Sequence, residues 1–142
     1  MKLVLDASMA LAWCIARNDP FEAALAQEAL NFIRLNSAQV PALWYPEIVN
    51  TLLVFERAKR LSLQISATFL NDLDTLQIHQ DLAPVAQTRP RLLSIARKHN
   101  LTAYDATYLE FALRIGSTLA TFDQKLAAAA RSSDLPVFGD KE

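Results

Sequence analysis

Glycine is nearly absent from this chain: 142 residues contain two, Gly116 and Gly139. Neither sits in a G-x-G-x-x-G or G-x-x-x-x-G-K pattern, so no glycine-rich loop is available to cradle a dinucleotide or a nucleoside triphosphate. Cys14 is the only cysteine, and His79 and His99 are the only histidines. That is too few for a zinc site of the usual Cys/His kind. A lone cysteine also excludes an internal disulfide and suits a reducing compartment. No apolar run reaches the roughly 20 residues that a membrane-spanning helix needs, and no secretory h-region follows Met1-Lys2, so a cytoplasmic location is expected. Neither sign of charge dominates. The formal net charge is -1, so any contact with nucleic acid has to come from a local basic patch or from bound cations. Chemistry is left to carboxylates, hydroxyls and basic side chains.

What is present is the composition of a folded globular protein. Apolar residues make up 52% and charged residues 20%, which places the chain with globular domains and away from disorder. The length suits one domain over residues 1–142 with a sizeable core. Lys2 to Leu5 predicts a buried strand ending at Asp6, followed by a helix from Ala7 to Arg17. Asn18-Asp19-Pro20 breaks the pattern, and helical spacing resumes over Phe21 to Leu35. Gln39-Val40 predicts a short strand. Pro46 starts a helix with a stripe of Ile48, Leu52 and Phe55 and a basic end at Arg57 to Arg60. Ser62 opens another, with Ile65, Phe69, Leu73 and Leu76 inward. A strand is expected within Gln77 to Leu82, a helix from Pro90 to Lys98, and a helix from Thr102 with Tyr104, Tyr108, Phe111 and Ile115 inward. Thr118 to Thr121 predicts a strand, Gln124 to Arg131 a helix, and Pro136 to Phe138 a last strand. Strands alternating with helices imply a parallel sheet covered on both faces.

Four acids stand at the joints of this pattern. Asp6 and Asp123 follow apolar strands and precede helices. Glu47 and Asp105 lie in first helical turns. Each has a structural explanation: Asp6 and Asp123 as N-caps, Glu47 as a charge favoured at the positive end of a helix, Asp105 as part of a capping box with Thr102. Together they carry a second meaning. In α/β folds, strand ends and helix starts share one rim of the sheet, so the four carboxylates can converge. Converging carboxylates repel one another and retain protons or bind a cation. An all-oxygen site suits Mg²⁺ or Mn²⁺.

The pattern resembles the PIN-domain nucleases, and within them the toxins of VapBC toxin–antitoxin pairs. L-V-L-D-A-S-M-A-L-A-W (3–13) resembles the first motif of that family. P-E-I-V-N-T-L-L-V-F-E-R-A-K-R (46–60) resembles the second, with its acid at Glu47 and an amide at Asn50. L-T-A-Y-D-A-T-Y-L-E-F-A (101–112) resembles the third, with Asp105, and L-A-T-F-D-Q-K-L (119–126) the fourth, with Asp123. The four occur in order over nearly the whole chain. The resemblance implies a three-layer α/β/α sandwich around a short parallel sheet, and catalytic and metal-holding roles for Asp6, Glu47, Asp105 and Asp123 with one or two Mg²⁺ or Mn²⁺ ions. It also implies an endoribonuclease acting on structured RNA such as transfer RNA, leaving 5′-phosphate and 3′-hydroxyl ends. A homodimer and a small VapB-like antitoxin are implied as well, with DNA reached only through the antitoxin. Ser8 and Thr121 match hydroxyl positions beside the first and fourth acids; local turn capping explains them equally well.

Two other readings remain. A HAD-type phosphohydrolase also opens with a strand ending in a nucleophilic Asp, but it needs a second Asp two residues on, where this chain has Ser8. A catalytically silent PIN-like interaction module would need no acids, and all four are present. Arg57, Lys59 and Arg60, like Arg97, Lys98 and His99, read first as solvated helix ends and second as phosphate contacts. Leu11, Phe32, Leu52 and Phe55 read as core or as the floor of a partner groove. Trp13 and Cys14 read as core, and Trp44 and Tyr45 as packing at a helix entry.

Overall fold

The computed structural model describes residues 1–141. Four strands form one parallel sheet in the order β3-β2-β1-β4. They are β1 (Leu3–Leu5), β2 (Ala38–Val40), β3 (Ile78–Gln80) and β4 (Thr118–Ala120). The crossovers carry the helices. α1 (Ala7–Leu11) and α2 (Pro20–Leu35) join β1 to β2. α3 (Trp44–Arg57) and α4 (Leu63–Leu73) join β2 to β3. α5 (Val85–His99) and α6 (Ala103–Ile115) run from β3 back to β4, and α7 (Gln124–Ser132) follows. This is the expected three-layer sandwich. β1 lies in the middle of the sheet, and Leu3, Val4 and Leu5 are all buried, because a central parallel strand is covered on both faces. β3 is the edge, and its Ile78-His79-Gln80 leaves two polar residues exposed; a short polar edge resists pairing with other chains.

The strand order decides where a site can form. The chain moves from β1 outward to β2 and β3, then returns past β1 to β4. The order reverses between β1 and β4, and that crevice beyond the strand ends is where open α/β sheets bind ligands. Parallel pairing sets Leu5 opposite Ala120, and the amide of Asp6 donates to the carbonyl of Ala120 at 2.9 Å. The next residues along, Asp6 and Thr121, are thereby neighbours.

Several expected boundaries shift. The first helix stops at Leu11 instead of Arg17; the carbonyl of Leu11 accepts from both Cys14 and Ile15, and the chain turns off. The Trp13 indole then donates to the carbonyl of Ala26 at 2.8 Å, which ties the turn to α2. The fifth helix starts five residues before Pro90, which lies inside it. Pro84 and an Asp81 side chain that accepts from the Ala83 amide set its entry. α3 starts at Trp44, so Pro46 falls in its first turn, where a missing N–H costs nothing. Ile65 is exposed, and the inward face of α4 is Ser66, Phe69 and Leu73. Residues 136–138 contribute a single bridge, Val137 to Leu119, in place of a strand.

Scarce glycine shows in how helices end. Four helices close with an amide reaching back five residues: Arg60 to Phe55, Leu101 to Ala96, Ser117 to Ala112 and Leu135 to Ala130, at 2.9–3.1 Å. Each such closure needs a left-handed residue just before the reaching amide. Those residues are Lys59, Asn100, Gly116 and Asp134, with φ of 52–63°. Asn and Asp tolerate that conformation through their short polar side chains, whereas Lys59 carries the steric cost in full. Lys59→Gly is therefore expected to stabilise the fold by roughly 0.5–1 kcal/mol, a rise of about 1–4 °C in Tm measurable by thermal unfolding.

Candidate functional site

Four segments far apart in sequence line one cavity of about 720 Å³: Asp6 at the end of β1, Glu47 in the first turn of α3, Asp105 in the first turn of α6, and Asp123 just ahead of α7. The crevice between β1 and β4 supplies Asp6 and Asp123.

Asp6 is buried and does not cap α1; no side-chain capping bond forms there. Its Oδ2 instead accepts two hydroxyl protons, from Ser8 at 2.7 Å and from Thr121 at 2.5 Å. Each hydroxyl is fixed in turn by a backbone donor: the Phe122 amide donates to Ser8 Oγ, and the Asp123 amide donates to Thr121 Oγ1, both at 3.0 Å. With its lone pair so engaged, each hydroxyl points its single proton at Asp6. Oδ1 of Asp6 takes no hydrogen bond among the described residues. Ser8 and Thr121 thus belong to the site as supports of Asp6.

Glu47 is half-buried, and its Oε1 accepts from the Tyr108 hydroxyl at 2.5 Å. Tyr108 is the residue that sequence reasoning left in the core. It lies three positions after Asp105 on α6, with its ring fully buried. A buried tyrosine needs a partner for its hydroxyl, and that requirement was the available signal. Asp123 does cap its helix, with Oδ1 accepting from the Leu126 amide at 2.7 Å, so capping and site membership coexist in one side chain. For Asp105 the capping partner is Thr102, whose hydroxyl accepts from the Asp105 amide at 3.1 Å. Asn50 falls outside: it is exposed and does not line the cavity. Glu47, Thr51 and Phe55, four residues apart, share the helix face that does.

Burial, with crowding added to it, shows in the proton affinities of Asp6, Glu47 and Asp105. Burial pushes Asp6 above the ordinary carboxylate value; the Thr121 and Ser8 hydroxyls oppose this, and Asp105 and Asp123 add to it. Burial also raises Glu47, against the Tyr108 hydrogen bond, with Asp6 and Asp105 contributing. Asp105 rises through burial and the neighbouring Asp123, against Thr102 and Lys125. Tyr108 is pushed well up by burial and by Asp6 and Glu47, so its hydroxyl stays a donor. None of the four acids forms an ion pair among the described residues. No three described His, Cys, Asp or Glu side chains are arranged to hold an ion as they stand. The four acids line one cavity, but they are not drawn together closely enough to form a ready-made cation site.

The raised values fix a sign. A carboxyl whose proton affinity is higher folded than unfolded adds stability below its unfolded value, and that stability is lost as pH rises through the folded value. In chelator, Tm should therefore increase as pH falls from neutral toward the ordinary values of 3.8 and 4.5. Asp81 and Asp140, whose values are lowered by Arg114 and Arg131, turn the trend over only below that. Asp105→Asn should flatten the rise and be more stable than the parent chain at neutral pH. Thermal melts across pH, with and without the substitution, check both.

Residues 3–132 match the PIN domain family. The chain is 30% identical over 133 residues to Ribonuclease VapC3 of Pyrobaculum aerophilum, a match covering 89% of this chain and 93% of that protein. Among solved structures, PAE2754 from Pyrobaculum aerophilum aligns with a TM-score of 0.67 at 23% identity, over 91% of this chain and 79% of that one. FitAcB from Neisseria gonorrhoeae aligns at 0.64 and 20% identity, over 96% of each chain. At these identities the two structures speak for the fold, and they share this one. A family match from β1 to the end of α7, with a 30% identical VapC relative of nearly equal length, makes this chain a PIN-domain protein of the VapC type.

Proposed function

We propose that this protein is a metal-dependent endoribonuclease, the toxin of a toxin–antitoxin pair, and that its active site is the cavity lined by Asp6, Glu47, Asp105 and Asp123. One observation carries the reading: four carboxylates from four separate segments line one cavity, and none of them forms an ion pair among the described residues. For Asp6, the buried one, a purely structural account would supply a cationic partner.

The donor set fits Mg²⁺ or Mn²⁺. It is all oxygen, negatively charged and close to hydroxyls, with no soft ligand in the cavity. Asp6, Asp105 and Asp123 would hold the ion, directly or through water, with Asp6 Oδ1 and Asp123 Oδ2 left free by the bonds that fix their partner oxygens. A divalent cation there supplies a water of lowered pKa and neutralises charge building on the phosphate. Glu47 is pinned by Tyr108 through one oxygen. Its other oxygen would orient the attacking water and accept its proton, a role that a raised carboxyl value suits. Water attacks phosphorus in line, the 3′-oxygen leaves with a proton, and the products carry 5′-phosphate and 3′-hydroxyl ends. Transfer RNA is the substrate we favour, on the family likeness.

The VapC relationship supports a small antitoxin as partner and a homodimer as the assembly. A second, more apolar cavity of about 450 Å³ between α3 and α4 is lined by Tyr45, Val49 and Leu70. These residues are partly exposed and suit a protein partner. A structure of similar fold is FitAB bound to an IR36 DNA fragment (TM-score 0.56, 20% identity, 96% of this chain and 93% of that one). Contact of the present chain with DNA is proposed only through its antitoxin. No helix among the described residues is long and apolar enough to cross a membrane.

Asn retains most of the hydrogen bonding of Asp while removing the charge that a hard cation needs. Asp6→Asn and Asp105→Asn should fold normally and lose more than about 100-fold in RNA cleavage with Mg²⁺ or Mn²⁺, since even groups that only orient metal ligands cost 10–100-fold. Cleavage of labelled RNA by purified protein, with 5′-end sequencing of the products, measures this. Full activity in both variants would return the acids to structural roles.

A further inference from the structure

The cavity is not acidic throughout. It extends along α3 from Glu47 past Thr51 to Phe55, and its far wall includes Arg60. Eight helical steps separate Glu47 from Phe55, a span of about 12 Å. The other charged groups on its wall are already engaged, Asp19 by the Phe21 amide and Glu22 by Arg17, which leaves Arg60 as the unpaired cation of the groove among the described residues.

Arg60 is held more firmly than its exposure suggests. Its amide donates to the carbonyl of Phe55 at 2.9 Å, and the amide of Lys59 donates to Glu56 at 2.9 Å. That pair of bonds closes α3 and fixes the backbone on both sides of the left-handed Lys59. The same closure brings the side chains of Arg60 and Phe55 together, and the guanidinium lies 5.0 Å from the ring centroid. Stacked on a ring, a guanidinium keeps its N–H edges free for a planar oxyanion. No carboxylate pairs with Arg60 among the described residues. The other arginine on the cavity wall, Arg17, also lies over a ring, Phe122 at 4.4 Å, but it is already paired with Glu22 at 2.9 Å. Midway along the groove, the Thr51 hydroxyl makes no hydrogen bond among the described residues.

Resting on the nuclease reading above, we propose that a single-stranded segment of the RNA lies along α3, with the scissile phosphate at the four acids and the phosphate of a flanking nucleotide gripped by Arg60. The cation compensates at a distance for the repulsion that a polyanion meets at the acidic end. It also makes the site select strands long enough to reach it. A substrate trimmed to the cleaved step alone loses the contact.

The test uses the full chain and a fluorescent single-stranded RNA, with binding followed by anisotropy in Ca²⁺ or with Asp105→Asn, and cleavage followed in Mn²⁺. Arg60→Gln should weaken binding and raise KM by about three- to tenfold with kcat unchanged, and lower the slope of log affinity against log salt by about one. Arg60→Lys should recover most of the salt slope. Replacing the flanking phosphate by a neutral methylphosphonate should weaken the parent protein and leave Arg60→Gln unaffected. Unchanged affinity, KM and salt slope in Arg60→Gln would overturn the proposal while leaving the nuclease intact, as would a loss confined to kcat. RNA that binds through Arg60 but is never cut would sink the nuclease reading and keep the grip. Failure of the parent protein to bind single-stranded RNA would end both.

Discussion

Carboxylates gathered in one cavity repel, and the fold has to hold them there against that repulsion. It does so by spending one oxygen of an acid on an anchor. Asp6 gives Oδ2 to Ser8 and Thr121, Glu47 gives Oε1 to Tyr108, and Asp123 gives Oδ1 to the first turn of α7. In each case the second oxygen is left for the cavity. The anchors are themselves fixed by backbone amides or by burial, so the acids cannot relax far without breaking bonds that are costly to leave unmade. The raised proton affinities of Asp6, Glu47 and Asp105 are the sign of a site assembled at some cost to stability, as functional sites commonly are.

The remainder of the architecture follows from that need. Two adjacent parallel strands, β1 and β4, pair in a register that makes Asp6 and Thr121 neighbours. Their position at the reversal of strand order opens the crevice that the carboxylates line. Helices α3 and α6 enter the same rim with their first turns, so that Glu47 and Asp105 arrive where the helix dipole favours negative charge. A hydroxyl network tied to the Phe122 and Asp123 amides then joins the two strand ends into one rigid piece.

Much of this was legible in the order of residues. Buried strands announce themselves as β-branched runs, and acids at strand ends and helix starts announce a shared rim. The sheet, its helices and the four acids were therefore readable, whereas Ser8 and Thr121 stood out only through the family resemblance, with turn capping explaining them equally well. What could not be read depends on contacts between distant segments. The early stop of α1 is set by Trp13 reaching Ala26, and local propensity carries no trace of that. The interior placement of Pro90 depends on an entry built from Asp81 and Pro84. Asn50 and Thr51 differ by one step of helical phase, and only the packing of α3 decides that Thr51 faces the cavity. Tyr108 was placed correctly in the core, yet its hydroxyl partner lies 61 residues away.

If the acids form one electrostatic unit, cation binding must displace the protons that burial and the neighbouring carboxylates favour. Calorimetric titration of Mn²⁺ into the metal-free protein in mildly acidic buffers of different ionisation enthalpy reads that release directly. The account predicts saturable binding with net proton release that shrinks as the pH is raised, and loss of binding in Asp6→Asn. Saturable binding without proton release, or undiminished binding in that variant, would contradict it.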